Sequence, residues 1–133
     1  FVKRRLGRMS VVCGCSVAAG AGSAAGMTCL MGGTEVQMAD GMQLLLSNLA
    51  GMLCDGAKES CALKVSSAST EAYFAARWAL AGQKLGIPQG VFGESLEQTI
   101  ENVARVTREG MKNVDRVIIE ILDQRHRPSA ENF

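Results

Sequence analysis

The sequence predicts an all-α bundle of about five helices with Ala/Gly-rich central members, on three observations. Apolar residues recur at three- and four-residue spacing through long runs, and no run alternates with the period of two that a strand needs. Two such runs open on paired capping residues, Thr34 with Gln37 and Ser95 with Gln98. Hydrophobic residues fill 47% of the 133 positions but aromatics only 5%, so the core has to be built from Ala, Leu, Val, Ile and Met. That length supports one modest core. Residues 1–133 read as a single helical domain, with 1–8 and 126–133 as flexible ends.

Residues 9–33 carry no charge, and Gly14, Ala18, Gly22 and Gly26 recur there every fourth position. On a helix they form a ridge of small residues on which another backbone can lie closely. The run is long enough to span a bilayer, but it holds only one Leu among Ala, Gly and Ser, so transfer into lipid is weak. The central helix of an all-α core is the preferred assignment, with no membrane contact. Gly32-Gly33 stops this helix as a left-handed cap does.

Thr34 starts the second helix. Met38, Met42, Leu45, Leu49 and Met52 follow at helical spacing, with Leu46 and Leu53 widening the stripe. The helix runs into a polar loop around Asp55, where Gly56 can take positive φ without strain. A third helix spans 60–81, with a small face of Ala68, Ala72, Ala75, Ala76 and Ala79 and most of the aromatic bulk at Tyr73, Phe74 and Trp78. Residues 82–93, with Pro88, read as a connector, a lid being the other assignment. From Ser95 the fourth helix turns Leu96, Ile100, Val103 and Thr107 inward and sets Glu101 to pair with Arg105. Gly110 interrupts it. A last helix points Val114, Val117, Ile118, Ile121 and Leu122 inward, and Arg116, Glu120 and Asp123 outward.

A net charge of +1 gives no basis for nucleic acid or an anionic surface as partner. The lone histidine, His126, sits in the tail, which argues against Ser-His-Asp or Cys-His nucleophiles and against a His-containing zinc site. No phosphate-cradling or dinucleotide-binding glycine motif is present. Five cysteines, an odd number in a helical chain, point to thiols kept reduced in a cytoplasm rather than to a secreted disulfide framework. The chain opens on Phe1 rather than Met, so a fragment or processed product is expected.

The remaining chemistry lies in those cysteines. Cys13 and Cys15 open the first buried helix, and Cys54 and Cys61 bracket the central loop; Cys29, deep in an apolar run, reads as core. If the third helix starts near Ser60, its free N–H groups point back at Asp55, Lys58, Glu59 and Ser60 and make an anion site beside thiols. An ordinary polar loop walled by two small hydrophobic cysteines is the plainer alternative. Thiolates are soft ligands suited to iron–sulfur clusters.

Cys54-Asp55-Gly56-Ala57-Lys58-Glu59-Ser60-Cys61-Ala62-Leu63-Lys64 resembles a block of the L-serine dehydratase alpha-chain and L-cysteine desulfidase family, iron–sulfur lyases without pyridoxal phosphate. Cys13 to Gly20, Leu30-Met31-Gly32-Gly33, the run from Asn48 into Cys54, and residues 95–122 with Glu109-Gly110-Met111 and Asp115 are similar to further blocks. Glu59 departs from a usual proline and Val114 from a usual threonine. The family's chains are several times longer, and this one resembles their C-terminal third. The resemblance implies a four-iron, four-sulfur (4Fe-4S) cluster in the intact enzyme, held by Cys54, Cys61 and either Cys13 or Cys15. It implies Asp55, Gly56, Lys58 and Ser60 around a small L-amino acid, and α,β-elimination of water or sulfide to give pyruvate and ammonia. The isolated portion would lack its N-terminal partner, be inactive, and self-associate through uncovered small-residue faces. The competing class is a non-catalytic helical module whose cysteines are structural.

Overall fold

Helical spacing becomes helix at each expected stretch. The computed structural model describes residues 1–7 and 10–126, apart from the side chains of 125 and 126. Among them are α1 (Val2–Leu6), a π-helical turn (Gly14–Ala18) running into α2 (Ala19–Leu30), α3 (Glu35–Leu49), α4 (Cys61–Leu80), α5 (Leu96–Arg105), a second π-helical turn (Val106–Gly110) and α6 (Val114–His126). No strand forms among the described residues, so the all-α expectation holds. The additional helix is α1: within the end expected to be flexible, Val2 and Leu6 are buried in the core. The other expected flexible end, beyond His126, lies outside the described residues.

α2 is the central helix and packs on both α3 and α4. Its buried face is Gly20, Ala21, Ala24 and Thr28, not the ridge through Gly22 and Gly26, which are exposed with open space where a Cβ would stand. The helix is uncharged and small throughout except for Met27 and the exposed Leu30, so composition does not mark which side faces inward. The same rotation leaves Cys29 exposed, which corrects its assignment to the core. At the end of α2, Gly32 has φ +84°, Gly32 N–H donates to Cys29 O at 2.9 Å and Gly33 N–H to Thr28 O at 2.8 Å. That paired pattern satisfies the last carbonyls of the helix.

Thr34 and Gln37 form the reciprocal capping box at the start of α3. Gln37 Nε2 also donates to the carbonyls of Ala79 and Leu80, at 3.3 and 3.4 Å, tying α3 to the end of α4. α3 buries Leu44, Leu45 and Leu46, while Met38, Met42 and Leu49 are only partly covered and Leu53 is exposed. All five alanines expected on the small face of α4 are buried. Tyr73, Phe74 and Trp78 stand exposed on other sides of the helix, Phe74 and Trp78 lining a groove with Leu44 and Leu85. The buried Gln43 reaches across to the connector: its Nε2 donates to Thr99 Oγ1 at 3.0 Å and to Gly93 O at 3.3 Å. Asn102 holds Val91 O at 3.2 Å, so the connector is fastened along its second half.

Ile100, Val103 and Thr107 are buried as expected. The ion pairing differs: Glu101 meets Arg108 at 2.6 Å and Arg5 at 3.9 Å, while Arg105 pairs with Glu109. The wider π turn after Arg105 brings Arg108 round toward Glu101. α6 hides little of its apolar stripe, since Val117 and Ile121 are exposed. No described helix is long and apolar enough to cross a membrane.

Candidate functional site

Two segments distant in sequence meet through backbone alone. Val12 and Leu53 form an isolated antiparallel bridge; Cys13 N–H donates to Met52 O at 2.8 Å, and Cys54 N–H to Val11 O at 2.6 Å. Side chains alternate across such a pairing, so Cys13 and Cys54 fall on the same side of it. The chain then turns at Gly56, with φ +95°, and enters α4 at Cys61, whose thiol points back to Gly56 O at 3.6 Å. The π turn that starts at Gly14 carries Cys15 on the facing wall.

The result is one cavity of about 690 Å³ lined by Cys13, Cys15, Cys54 and Cys61, with Gly14, Gly22, Gly56 and Lys3 among its other walls. All four cysteines expected to bind metal therefore share one enclosure. Another cavity, of about 720 Å³, lies away from any cysteine, beside Asn102, Arg105 and Glu109. No three His, Cys, Asp or Glu side chains among the described residues converge as the ligands of an ion would. The four cysteines are instead among the residues that line one open pocket. That donor set suits a cluster, in which thiolates bind separate iron atoms at separate corners.

The substrate residues expected from the resemblance are distributed differently. Gly56 lines the cavity, whereas Asp55, Lys58 and Ser60 are not among its walls. Asp55 is held by Lys58 and by Lys64, and these two ammonium groups keep its carboxyl well below the usual carboxylate range. At the start of α4 the Cys61, Ala62 and Leu63 N–H groups donate to the carbonyls of Lys58, Glu59 and Ser60 at 2.9–3.1 Å, so the first helical turn reaches back to Lys58.

Lys64, which sequence reasoning gave no role, is the best-connected polar group here. It donates to Leu53 O at 2.8 Å and to Asp55 Oδ1, and Asp55 above all raises its affinity for a proton. Cys13 is buried, which pushes its thiol up. Hydrogen bonding to Ser16, whose Oγ is 3.5 Å away, and to the backbone of Ser16 and Cys15, together with the Lys64 charge, outweighs this and leaves the thiol below its ordinary value. Lys3 is the other residue missed: its ammonium and stem lie over Gly14 at the cavity wall. The sequence signal for Lys64 was its place three residues after Cys61, one turn along the same helix; Lys3 gave none beyond its charge.

A family model described as the serine dehydratase alpha chain matches residues 1–120. The chain belongs to the serine dehydratase alpha chain family. A UPF0597 protein of Desulfatibacillum aliphaticivorans is 50% identical over 122 residues, covering 92% of this chain and 28% of that protein. UPF0597 proteins of Bacteroides fragilis and Caldanaerobacter subterraneus subsp. tengcongensis are 43% and 42% identical over 122 residues each, covering 92% of this chain and 28% and 29% of those proteins. This serine dehydratase alpha chain family member thus spans under a third of the length of these curated relatives. No solved structure matches it.

Proposed function

We propose that the chain is the cysteine-bearing C-terminal portion of an iron–sulfur-dependent lyase of the L-serine dehydratase or L-cysteine desulfidase type. Its reaction would be α,β-elimination of water or sulfide from a small L-amino acid, the resulting enamine being hydrolysed to pyruvate and ammonia. The observation that carries this reading is the gathering of Cys13, Cys15, Cys54 and Cys61 around one cavity. Cys54, Cys61 and Cys13 would hold a 4Fe-4S cluster, with the exposed Cys15 as the alternative third ligand. When bound, the cluster supplies a Lewis-acidic iron to the departing β-substituent.

The chain's own residues do the holding. The Val12–Leu53 bridge fixes Cys13 and Cys54 on one wall, and α4 sets Cys61 on another. The loop of Asp55, Gly56, Lys58 and Ser60 enters the cavity through Gly56 and Ala57 and is assigned to the substrate side. The remainder of the longer polypeptide is the partner this reading requires, and a cytoplasm is the compartment that keeps the thiols reduced. The uncovered Gly22 and Gly26 face suits association of the isolated chain with a second copy.

Anaerobic reconstitution with iron and sulfide tests the assignment. The wild-type chain should develop the broad visible absorbance of sulfur-to-iron charge transfer, and Cys54→Ser or Cys61→Ser should lose it. A chain that stays colourless, or colours equally in both variants, overturns the assignment of Cys54 and Cys61 as ligands and favours a non-catalytic helical module with structural thiols.

A further inference from the structure

We infer that Lys64 is the positioning residue of the cysteine cavity, its ammonium clamping the turn that carries Cys54 onto α4. The nature of the occupant rests on the cluster reading above; the clamp is a property of the chain itself. The two acceptors of Lys64, the Leu53 carbonyl and the Asp55 carboxylate, stand immediately before and after Cys54. Lys64 itself stands one helical turn from Cys61. One side chain therefore couples the backbone around Cys54 to the helix that bears Cys61.

The opposite attachment of this turn is the Cys54 N–H to Val11 O bond, which ties it to the segment holding Cys13. Cys54 is thus fastened on two sides, by backbone toward Cys13 and by Lys64 toward Cys61. The clamp sets the span of the cavity between the two walls. The Lys64 side chain is only 22% exposed, whereas Lys58, the other partner of Asp55, is 43% exposed.

Lys64→Met keeps the length of the stem and removes the charge; Lys64→Arg keeps the charge. The first measurement is amide hydrogen exchange on the metal-free 133-residue chain. In Lys64→Met the amides of Cys54 and Cys61 should exchange at least about tenfold faster, since one charge-assisted hydrogen bond alone accounts for that much and Lys64 makes two. Amides of 72–76 in the middle of α4 should be unchanged, and Lys64→Arg should recover part of the protection. The second measurement follows iron released to a chelator after reconstitution. Residues that orient metal ligands from behind change affinity by about 10–100-fold, so Lys64→Met should lose iron faster by that order. Unaltered exchange at Cys54 and Cys61 overturns the clamp even when the wild type loads a cluster. Equal acceleration throughout α4 overturns it too, since Lys64 would then be a general stabiliser. Altered exchange in a chain that takes up no iron upholds the clamp and removes the cluster reading.

Discussion

Gly33 and Gly22 are the same residue type, eleven positions apart in the chain, and the structure assigns opposite signs to the same substitution at each. A Cβ on Gly33 would stand 2.5 Å from Thr28 Cγ2, 2.8 Å from Thr28 O and 2.9 Å from Leu80 Cδ2. The side chains can shift, but the carbonyl belongs to the end of α2 and accepts the Gly33 N–H. Overpacking costs about 1–3 kcal/mol and the loosened hydrogen bond about 1 kcal/mol, so Gly33→Ala should destabilise the chain by about 2–4 kcal/mol. With an unfolding entropy of about 0.28 kcal/mol/K for a chain of this length, Tm should fall by roughly 7–14 °C. At Gly22 a Cβ meets nothing within 4 Å. Gly22→Ala in mid-helix should therefore stabilise by about 0.5–1 kcal/mol, or raise Tm by roughly 2–4 °C. Thermal melting followed by far-ultraviolet circular dichroism, with scan-rate independence checked, reads both. A Gly33→Ala chain melting within a degree of wild type would show that the α2 end is not packed as described, and the steric reasoning would fail with it.

Two further outcomes are specific. Light scattering at micromolar concentration should return a mass above the 14.1 kDa of one chain, and Gly22→Leu or Gly26→Leu should restore the monomer with helicity kept; a wild-type monomer rules out self-association, and loss of folding in the variants would mean that this face is internal. Gln43→Leu should cost about 1–3 kcal/mol in urea unfolding, because Gly93 O and Thr99 Oγ1 lose a buried donor, and should quicken hydrogen exchange at Gly93; an unchanged midpoint would mean the connector is held by other contacts.

What the sequence disclosed follows from where its contrasts lie. Ala68, Ala72, Ala75, Ala76 and Ala79 stand among larger and charged neighbours, so their stripe was visible and is buried. The double glycine and the Thr34–Gln37 box are local chemistry and appear where expected. Residues 19–30 lack such contrast: the helix is neutral, with only Met27 and Leu30 large, and its inward face is chosen by α3 and α4, with Leu45 filling against Gly20. That is why the sequence alone does not decide whether Gly22 and Gly26 face the core or an uncovered surface, and why Cys29 reads as core although it is exposed. The cysteines were legible as a set by residue type, and their common cavity agrees with that grouping. Their geometry was not legible, because it depends on the Val12–Leu53 bridge and on Lys64, contacts between segments about 40 and 10 residues apart. The pairing of Asp55 with Lys58 and Lys64 likewise has no signal in the sequence beyond the opposite charges.

Trp78 is the single tryptophan of the chain and is 57% exposed in the folded state, beside Phe74 and Leu85. Its indole is only partly covered before any unfolding begins. The emission shift on melting will therefore be smaller than that of a buried tryptophan, and a shallow trace must not be mistaken for a chain that resists denaturation. The same placement makes emission a sensitive reporter of a different event. Whatever covers the groove on α4 moves the indole from water into an apolar setting and shifts its emission to shorter wavelength. The optical probe of this domain thus watches its surface more closely than its core.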